Sequence, residues 1–291
     1  MLRGPVRIIL AALFCGVCFI RLWGVPMAID FHAGSNQYSY ARRVAHAGWG
    51  DFIQQRVDPA GKVIADIGCG GGIYSAAWAG LGARQVTGVD FSAQMLQDAQ
   101  ETVQGLTNVA FVQGDAAATG LADASQNIVF ARALIHHFDS PQPFLHEAWR
   151  ILAPWGLLLI QDRTPEDVFL PGSPEHMRGW FFDLFPPLAA IERSLRPPRE
   201  AIEAAITTAG FELRPTTTLW ETRREYADSA ALAADLRGRT GRSILHELSD
   251  EALEQMIAYI LARLPAGQPI VENDRWTFWW AQKPDVAGNG L

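Results

Sequence analysis

The sequence predicts an α/β protein built on a doubly wound, mostly parallel sheet of seven strands, with helical insertions in its carboxyl half. Three observations predict it. From Lys62 onward short apolar runs alternate with helical stretches, which implies crossover connections and a parallel sheet covered on both faces. The strand runs are continuously apolar rather than alternating, as strands buried on both faces are. After Gln161 the rhythm changes, and two long interruptions separate the last strands.

In order, residues 62 to 67 read as a strand, 73 to 81 as a helix, 85 to 89 as a strand, and 92 to 104 as a helix opened by a serine cap. Residues 109 to 113, 127 to 131 and 157 to 161 are three more strands, with a helix over 141 to 152 before the last. A helix over 199 to 209 is stopped by Gly210. Strands over 211 to 219 and 276 to 282 then close the sheet as an antiparallel pair. The interruptions at 163 to 198 and 225 to 272 follow strand carboxyl ends or fold back over them, where open α/β sheets bind ligands, so they are lid material.

Composition supports one large domain over 27 to 291. The 291 residues are 49% hydrophobic and 19% charged, below the roughly 25% charge usual for soluble proteins. Three cysteines exclude a disulfide scaffold, and a net charge of −7 argues against nucleic acid as the main partner. The apolar excess has three sources: residues 8 to 20, the doubly covered sheet, and an aromatic carboxyl half.

Residues 1 to 26 form an apolar extension. The run of 13 residues between Arg7 and Arg21 is too short to span a bilayer, and the basic flank suits a signal or anchor without an Ala-x-Ala-like cleavage site. Met27 as the true start is the third reading. Membrane association is expected only through this extension, and a cytoplasmic location without it. Cys15 and Cys18, lacking a second ligand pair, do not suggest metal or redox chemistry.

The chemistry starts at Asp66-Ile67-Gly68-Cys69-Gly70-Gly71-Gly72, between the first strand and its helix. Glycine lets backbone take positive φ and approach a ligand closely. The next strand ends at Asp90, 22 residues after Gly68, where doubly wound folds place a carboxylate on a ribose diol. A dinucleotide loop needs its third glycine where this chain has Ile73, so the nucleoside is one without a pyrophosphate. Asp66 is placed to orient the loop or to meet an ammonium group.

The run from Asp66 to Gly72, the strand-end Asp90, Gly114-Asp115-Ala116, and Arg150-Ile151-Leu152-Ala153-Pro154-Trp155-Gly156 resemble the successive motifs of class I S-adenosylmethionine-dependent methyltransferases. The likeness is greatest to small-molecule members such as those of ubiquinone and menaquinone biosynthesis. It covers 31 to 161 in order and spacing, and the remainder only in layout.

The resemblance implies the Rossmann-like methyltransferase fold, S-adenosylmethionine as cofactor and a small apolar or aromatic acceptor. It implies that Gly68, Gly70 and Gly72, with Cys69 between them, pack on the methionine part. Asp90 would hold the ribose, Phe91 the adenine face, Asp115 the adenine amino group, and Ala116 would supply backbone. Phe31-x-x-x-Ser35-x-x-Tyr38 resembles the entry segment, with Ser35 where alanine is usual, so Tyr38 would close over the cofactor, with Tyr40 as competitor. Trp155 stands where the family has glycine, and because tryptophan disfavours positive φ the turn is expected to be type I.

Blander readings stand beside these. Cys69 fits a small buried residue better than a nucleophile, Gly114-Asp115 could be a turn alone, and Asp90 could cap the following helix. His136 and His137 sit after the fourth strand, where a histidine can act as general base or hold the loop. No metal is expected there, because no further ligand has the spacing. Arg132 is read as a contact to the cofactor loop or to a substrate carboxylate. Trp180, Phe181, Phe182, Phe185, Trp220 and Tyr226 could line an apolar pocket or form core, and Arg223 and Arg224 could bind an anionic acceptor or be solvated. The competing functions are a cofactor-binding sensor without turnover and a nicotinamide-dependent dehydrogenase.

Overall fold

The computed structural model describes residues 45, 47–265 and 267–285. The extension at 1 to 26, Tyr38 and Tyr40 lie outside the described residues.

Five parallel strands come first in space and in sequence: β1 (Val63–Ile67), β2 (Gln85–Asp90), β3 (Val109–Gln113), β4 (Gln126–Arg132) and β5 (Leu152–Asp162). The order is β3-β2-β1-β4-β5, continued by β8 (Ile270–Gln282), which runs antiparallel to β5. The strand order reverses between β1 and β4, which opens a crevice at their carboxyl ends. β1 is buried at every position, as its continuous apolar run predicts.

The far edge corrects the strand expected over 211 to 219. It is split into β6 (Glu212–Leu213) and β7 (Thr217–Tyr226), which pair with successive parts of β8. Pro215 lies in the break, where it has no N–H to give the ladder. Eight segments therefore fill seven positions, and the antiparallel closing pair is present.

Both partners of that pair reach beyond their apolar cores, β7 to Tyr226 and β8 back to Ile270. The added segments are charge-rich, and no periodicity announces them. Several of their charges are buried in ion pairs: Arg223 meets Glu272 at 3.0 Å, and Arg132 on β4 meets Glu221 at 2.7 Å.

The sheet is covered twice. On one face α4 (Gln142–Ile151) and α8 (Arg199–Thr208) bury Phe144, Leu145, Ile202 and Ile206 against β4, β5 and β8. On the other α1 (Ala47–Gln54) and α2 (Ile73–Gly80) bring Trp49 and Trp78 edge-on at 5.1 Å over Phe130. The helix α3 (Ala93–Thr102) is capped as expected, the Ser92 hydroxyl accepting from Met95 N.

A third cluster is built from α6 (Arg178–Leu184), α7 (Pro187–Leu195), α9 (Ser229–Arg237) and α10 (Asp250–Leu261). Trp180, Phe181 and Tyr226 are buried in it, and Phe182 and Phe185 pack on it, so these aromatics are core and not pocket wall. Arg223 is also buried, while Arg224 pairs with Asp235, so neither is simply solvated.

Trp155 is a second correction, because its φ is +62°. The left-handed conformation costs a non-glycine residue about 1–2 kcal/mol. Trp155 N donates to Lys283 O, Gln282 Nε2 donates to Trp155 O, and Lys283 Nζ donates to Trp149 O and Leu152 O. These bonds from the chain's last strand hold the turn. Among the described residues no helix is long and apolar enough to cross a membrane.

Candidate functional site

A cavity of about 440 Å³ lies at the carboxyl edge of the sheet, in the crevice between β1 and β4. One side of it is the glycine loop. Gly68, Gly70 and Gly72 have φ of +70°, +50° and +76°, so alternate residues of the motif require glycine. Their surroundings differ. A Cβ on Gly72 would come within 3.0 Å of Ala99 and Phe111, whereas one on Gly70 would meet nothing within 4 Å. Gly72 is therefore small for helix packing, and Gly70 for the space it borders.

Asp90 ends β2 with its carboxylate divided between two backbone donors, Gly70 N and Ser92 N, each at 2.9 Å. It both steadies the loop and opens α3, and a carboxylate retains further lone pairs for a ligand. Phe91 is half exposed at the cavity's rim, and Asp115 and Ala116 border the same side. Asp115 also accepts from Ala117 N at 2.7 Å, so the turn is real alongside any binding role.

Asp66 is buried beneath the loop and accepts the Ser75 hydroxyl at 2.6 Å. Burial pushes its carboxyl up to about 7, with the Ser75 bond opposing and the Asp90 charge adding to the rise. Cys69 is held well above the ordinary thiol range by burial, reinforced by Asp66 and Asp90. A protonated thiol of this kind is no nucleophile.

The opposite side is made of long-range contacts. Arg132 packs its guanidinium 3.8 Å from the Trp276 ring centre and 4.4 Å from that of Tyr74. Its Nη2 bonds to Glu221, which also accepts from Gln161 Nε2 at 2.9 Å. Trp49 Nε1 in turn donates to Gln161 Oε1.

Past β4 a single 3-10 turn, Ile135–His137, places the two histidines with ring centres 4.1 Å apart. They are not equivalent. His136 Nδ1 lies 2.8 and 2.9 Å from the two carboxylate oxygens of Asp162, the last residue of β5. Despite its burial, Asp162 is held well below the usual carboxylate range by His136 and Arg196. Burial lowers His136, against the pull of Asp162. The pair at neutral pH is thus an ionised aspartate and a neutral imidazole. His137 is exposed at its surface, and partial desolvation together with His136 lowers its proton affinity below that of an ordinary imidazole.

The predicted residues of the described chain, from Asp66 to His137, border this one cavity except for Gly72, which faces Ala99 and Phe111 instead. Sequence reasoning missed Asp162, Arg163, Arg196, Glu221 and Trp276. Asp162 had a signal, a carboxylate at a strand's carboxyl end beside the crevice. The others become neighbours only when β5, β7 and β8 pair. Among the described residues no group of His, Cys, Asp or Glu is arranged to hold a metal.

The geometry agrees with the comparisons. Residues 65–160 match the methyltransferase domain family. A ubiquinone biosynthesis O-methyltransferase of Xanthomonas oryzae pv. oryzae is 34% identical over 123 residues, covering 40% of this chain and 49% of that protein. The chain thus spans about half the length of that relative. An Anabaena variabilis protein assigned as a methyltransferase of an antibiotic biosynthesis pathway superposes with a TM-score of 0.61 at 23% identity, over 81% of this chain and 98% of that one. A phosphoethanolamine N-methyltransferase 2 of Haemonchus contortus, solved with phosphomonomethylethanolamine and S-adenosylhomocysteine, gives 0.55 at 20% identity, over 88% of this chain and 61% of that one. At these identities the structural likeness is one of fold. The match to the methyltransferase domain family thus falls on the stretch from β1 to β5, which carries the glycine loop at the crevice of the doubly wound sheet.

Proposed function

We propose that the chain transfers a methyl group from S-adenosylmethionine to a hydroxyl group of a small molecule. The observation that carries this reading is His136 on the wall of the same cavity that the glycine loop borders, with the buried Asp162 carboxylate bonded to its Nδ1.

The residues present fit the cofactor. Gly70 borders open space in a backbone conformation that disfavours a side chain, as suits a loop pressed against a ligand. Asp66, Gly68, Cys69 and Gly70 would hold the methionine part, Asp66 gaining its charge when an ammonium group is near, and Gly72 would serve by letting the following helix pack close to the loop. Asp90 would accept from the ribose, Phe91 would cover the adenine, and Asp115 with Ala116 would meet its edge. S-adenosylmethionine supplies an electrophilic methyl group on a sulfonium centre.

The chain's own part is alignment, exclusion of water and management of one proton. With Nδ1–H donated to Asp162, His136 has the tautomer in which Nε2 accepts. Its lowered affinity for protons keeps it neutral near pH 7, ready to take the hydroxyl proton. Asp162 then faces the imidazolium and stabilises it. Such a base is worth typically about 10² to 10⁴ in rate. The fixed Arg132–Glu221–Gln161–Trp49 chain sets the wall across from the loop.

Titration calorimetry of the full chain against S-adenosylhomocysteine and a nicotinamide dinucleotide tests the cofactor. Transfer of a labelled methyl group to a panel of phenols tests the reaction, with His136→Gln expected to slow it by about 10² to 10⁴ while binding persists. Heat with the dinucleotide alone would overturn the reading in favour of a dehydrogenase. Binding of S-adenosylhomocysteine without transfer to any acceptor would replace it with a cofactor sensor.

A further inference from the structure

The segment from residue 163 to 198, expected as lid material, turns its charges inward and closes them on the His136–Asp162 pair. Arg196, just past α7, donates from Nη1 to Asp162 Oδ1 at 3.2 Å. Its Nε donates to Glu192 of α7 at 3.1 Å, and Glu192 also pairs with Arg178 of α6 at 3.6 Å. Arg178 Nε reaches Asp274 on β8 at 3.4 Å, and Asp274 accepts from Arg163 Nη1 at 3.3 Å. Arg163 N donates to Asp162 Oδ1 at 2.8 Å, so the contacts return to where they began. Three arginines and three carboxylates make up this ring, and none of their side chains is more than 12% exposed.

The balance of charge in the ring bears on the base. A buried charge without a counter-charge is costly, and three cations against three anions leave the ring neutral as a unit. His136 stands outside it, bonded to Asp162 through Nδ1. An aspartate with no other partner favours the imidazolium beside it, which cannot accept a proton. Here Arg196 already meets the charge of Asp162, and burial of the imidazole opposes a proton further.

The other charged or titratable groups near His136 work the same way or are weak. Arg163 disfavours the imidazolium, and the adjacent His137 is itself a poor proton acceptor. Beside the ring, Arg223 and Arg242 pair with Asp235 and Glu272 and form a separate matched set.

Resting on the methyl-transfer reading, we infer that Arg196 is a positioning residue for that reaction: it meets the charge of Asp162 and so leaves His136 unprotonated, with Nε2 free to take the acceptor's proton. Four of the six ring residues, Arg163, Arg178, Glu192 and Arg196, come from the 163 to 198 segment, so that segment completes the base. A neutral residue at 196 leaves three anions against two cations, and the His136–Asp162 pair takes up a proton in compensation. The proton goes to His136, because an imidazole ordinarily binds protons more tightly than a carboxylate. A neutral residue at 192 leaves the opposite imbalance, and His136 then holds a proton more weakly. Loosened packing alone would not move His136 in opposite directions.

The test is a nuclear magnetic resonance titration of the full chain with its histidines labelled with nitrogen-15, the His136 signal being identified by its loss in His136→Gln. In the unaltered protein His136 should occupy the Nδ1–H tautomer and titrate below the 6.5 of an ordinary imidazole. Arg196→Gln should raise the midpoint by about one pH unit, Arg196→Lys should return it close to the unaltered value, and Glu192→Gln should lower it. Melting curves identify the variants that have folded. Where Arg196→Gln does not fold, Glu192→Gln and the midpoint of the unaltered protein decide the matter. A midpoint at or above 6.5 in the unaltered protein, no movement in the folded variants, or an upward movement in Glu192→Gln would overturn the role of Arg196. Calorimetry with S-adenosylhomocysteine is read separately, and absence of binding there would overturn the methyl-transfer reading whatever the titration shows.

Discussion

The cavity has two sides that are constructed differently. On the loop side, between β1 and β3, the working groups are backbone or lie a few residues from it: glycines in left-handed conformations, and Asp90 bonded to Gly70 N and Ser92 N. On the acceptor side, between β4 and β8, they are side chains tied across the fold. Trp49 reaches Gln161 over 112 residues, Gln161 reaches Glu221 over 60, and Arg163 reaches Asp274 over 111. The first side is shaped by backbone, which tolerates little variation. The second is shaped by a charge lattice, which can be altered one pair at a time.

This contrast can be broken experimentally, and the largest effect is expected at Asp162. Asp162→Asn should lower the maximal rate of methyl transfer by about 10² to 10⁴ while sparing affinity for S-adenosylhomocysteine. A rate within about threefold of the unaltered enzyme would remove His136 from base catalysis. On the loop side Asp90→Ala should do the reverse, weakening S-adenosylhomocysteine by about 1.5 to 3 kcal/mol, the range for a hydrogen bond to a charged group. Calorimetry reads that loss directly, and an unchanged affinity would reduce Asp90 to a helix opener.

A smaller, pH-dependent effect belongs to Asp66. Its carboxyl, raised from 3.8 to about 7, favours the folded state when protonated. That stability is fully present below about pH 4 and is lost as pH rises through about 7. Asp66→Asn should therefore melt higher than the unaltered protein at about pH 8. Affinity for S-adenosylhomocysteine should rise by up to about tenfold from pH 6 to pH 8 in the unaltered protein and stay flat in the variant. A parallel rise in both would assign the titration elsewhere.

The smallest effect tests the fold rather than the site. Trp155→Gly relieves a left-handed tryptophan that is 59% exposed, and should stabilise by about 1 kcal/mol. A melting point higher by about 2–4 °C would fit that figure. A lower one would show that the indole contributes packing despite its exposure.

Legibility followed the same division. The five parallel strands were readable because strands covered on both faces are apolar throughout, and β1 is buried at each position. The glycine loop and Asp90 were readable because spacing along the chain fixes where they fall relative to a strand end. β7 and the first half of β8 were only partly readable, since their added residues are charged and a charge pattern does not distinguish a solvated strand from one buried in ion pairs. Trp155 failed for a related reason. Local preference disfavoured its conformation, and hydrogen bonds with residues of the chain's end overrode it.

The amino-acid sequence by itself determined the doubly wound sheet, the crevice at its carboxyl edge and the loop that borders it, because each follows from periodicity or from short-range backbone geometry. Only the tertiary structure decided which histidine meets a carboxylate, which aromatics are core, and which arginines face the cavity. Those outcomes depend on pairing between β5, β7 and β8, where buried charges choose partners more than 40 residues away, and no local pattern encodes such a choice.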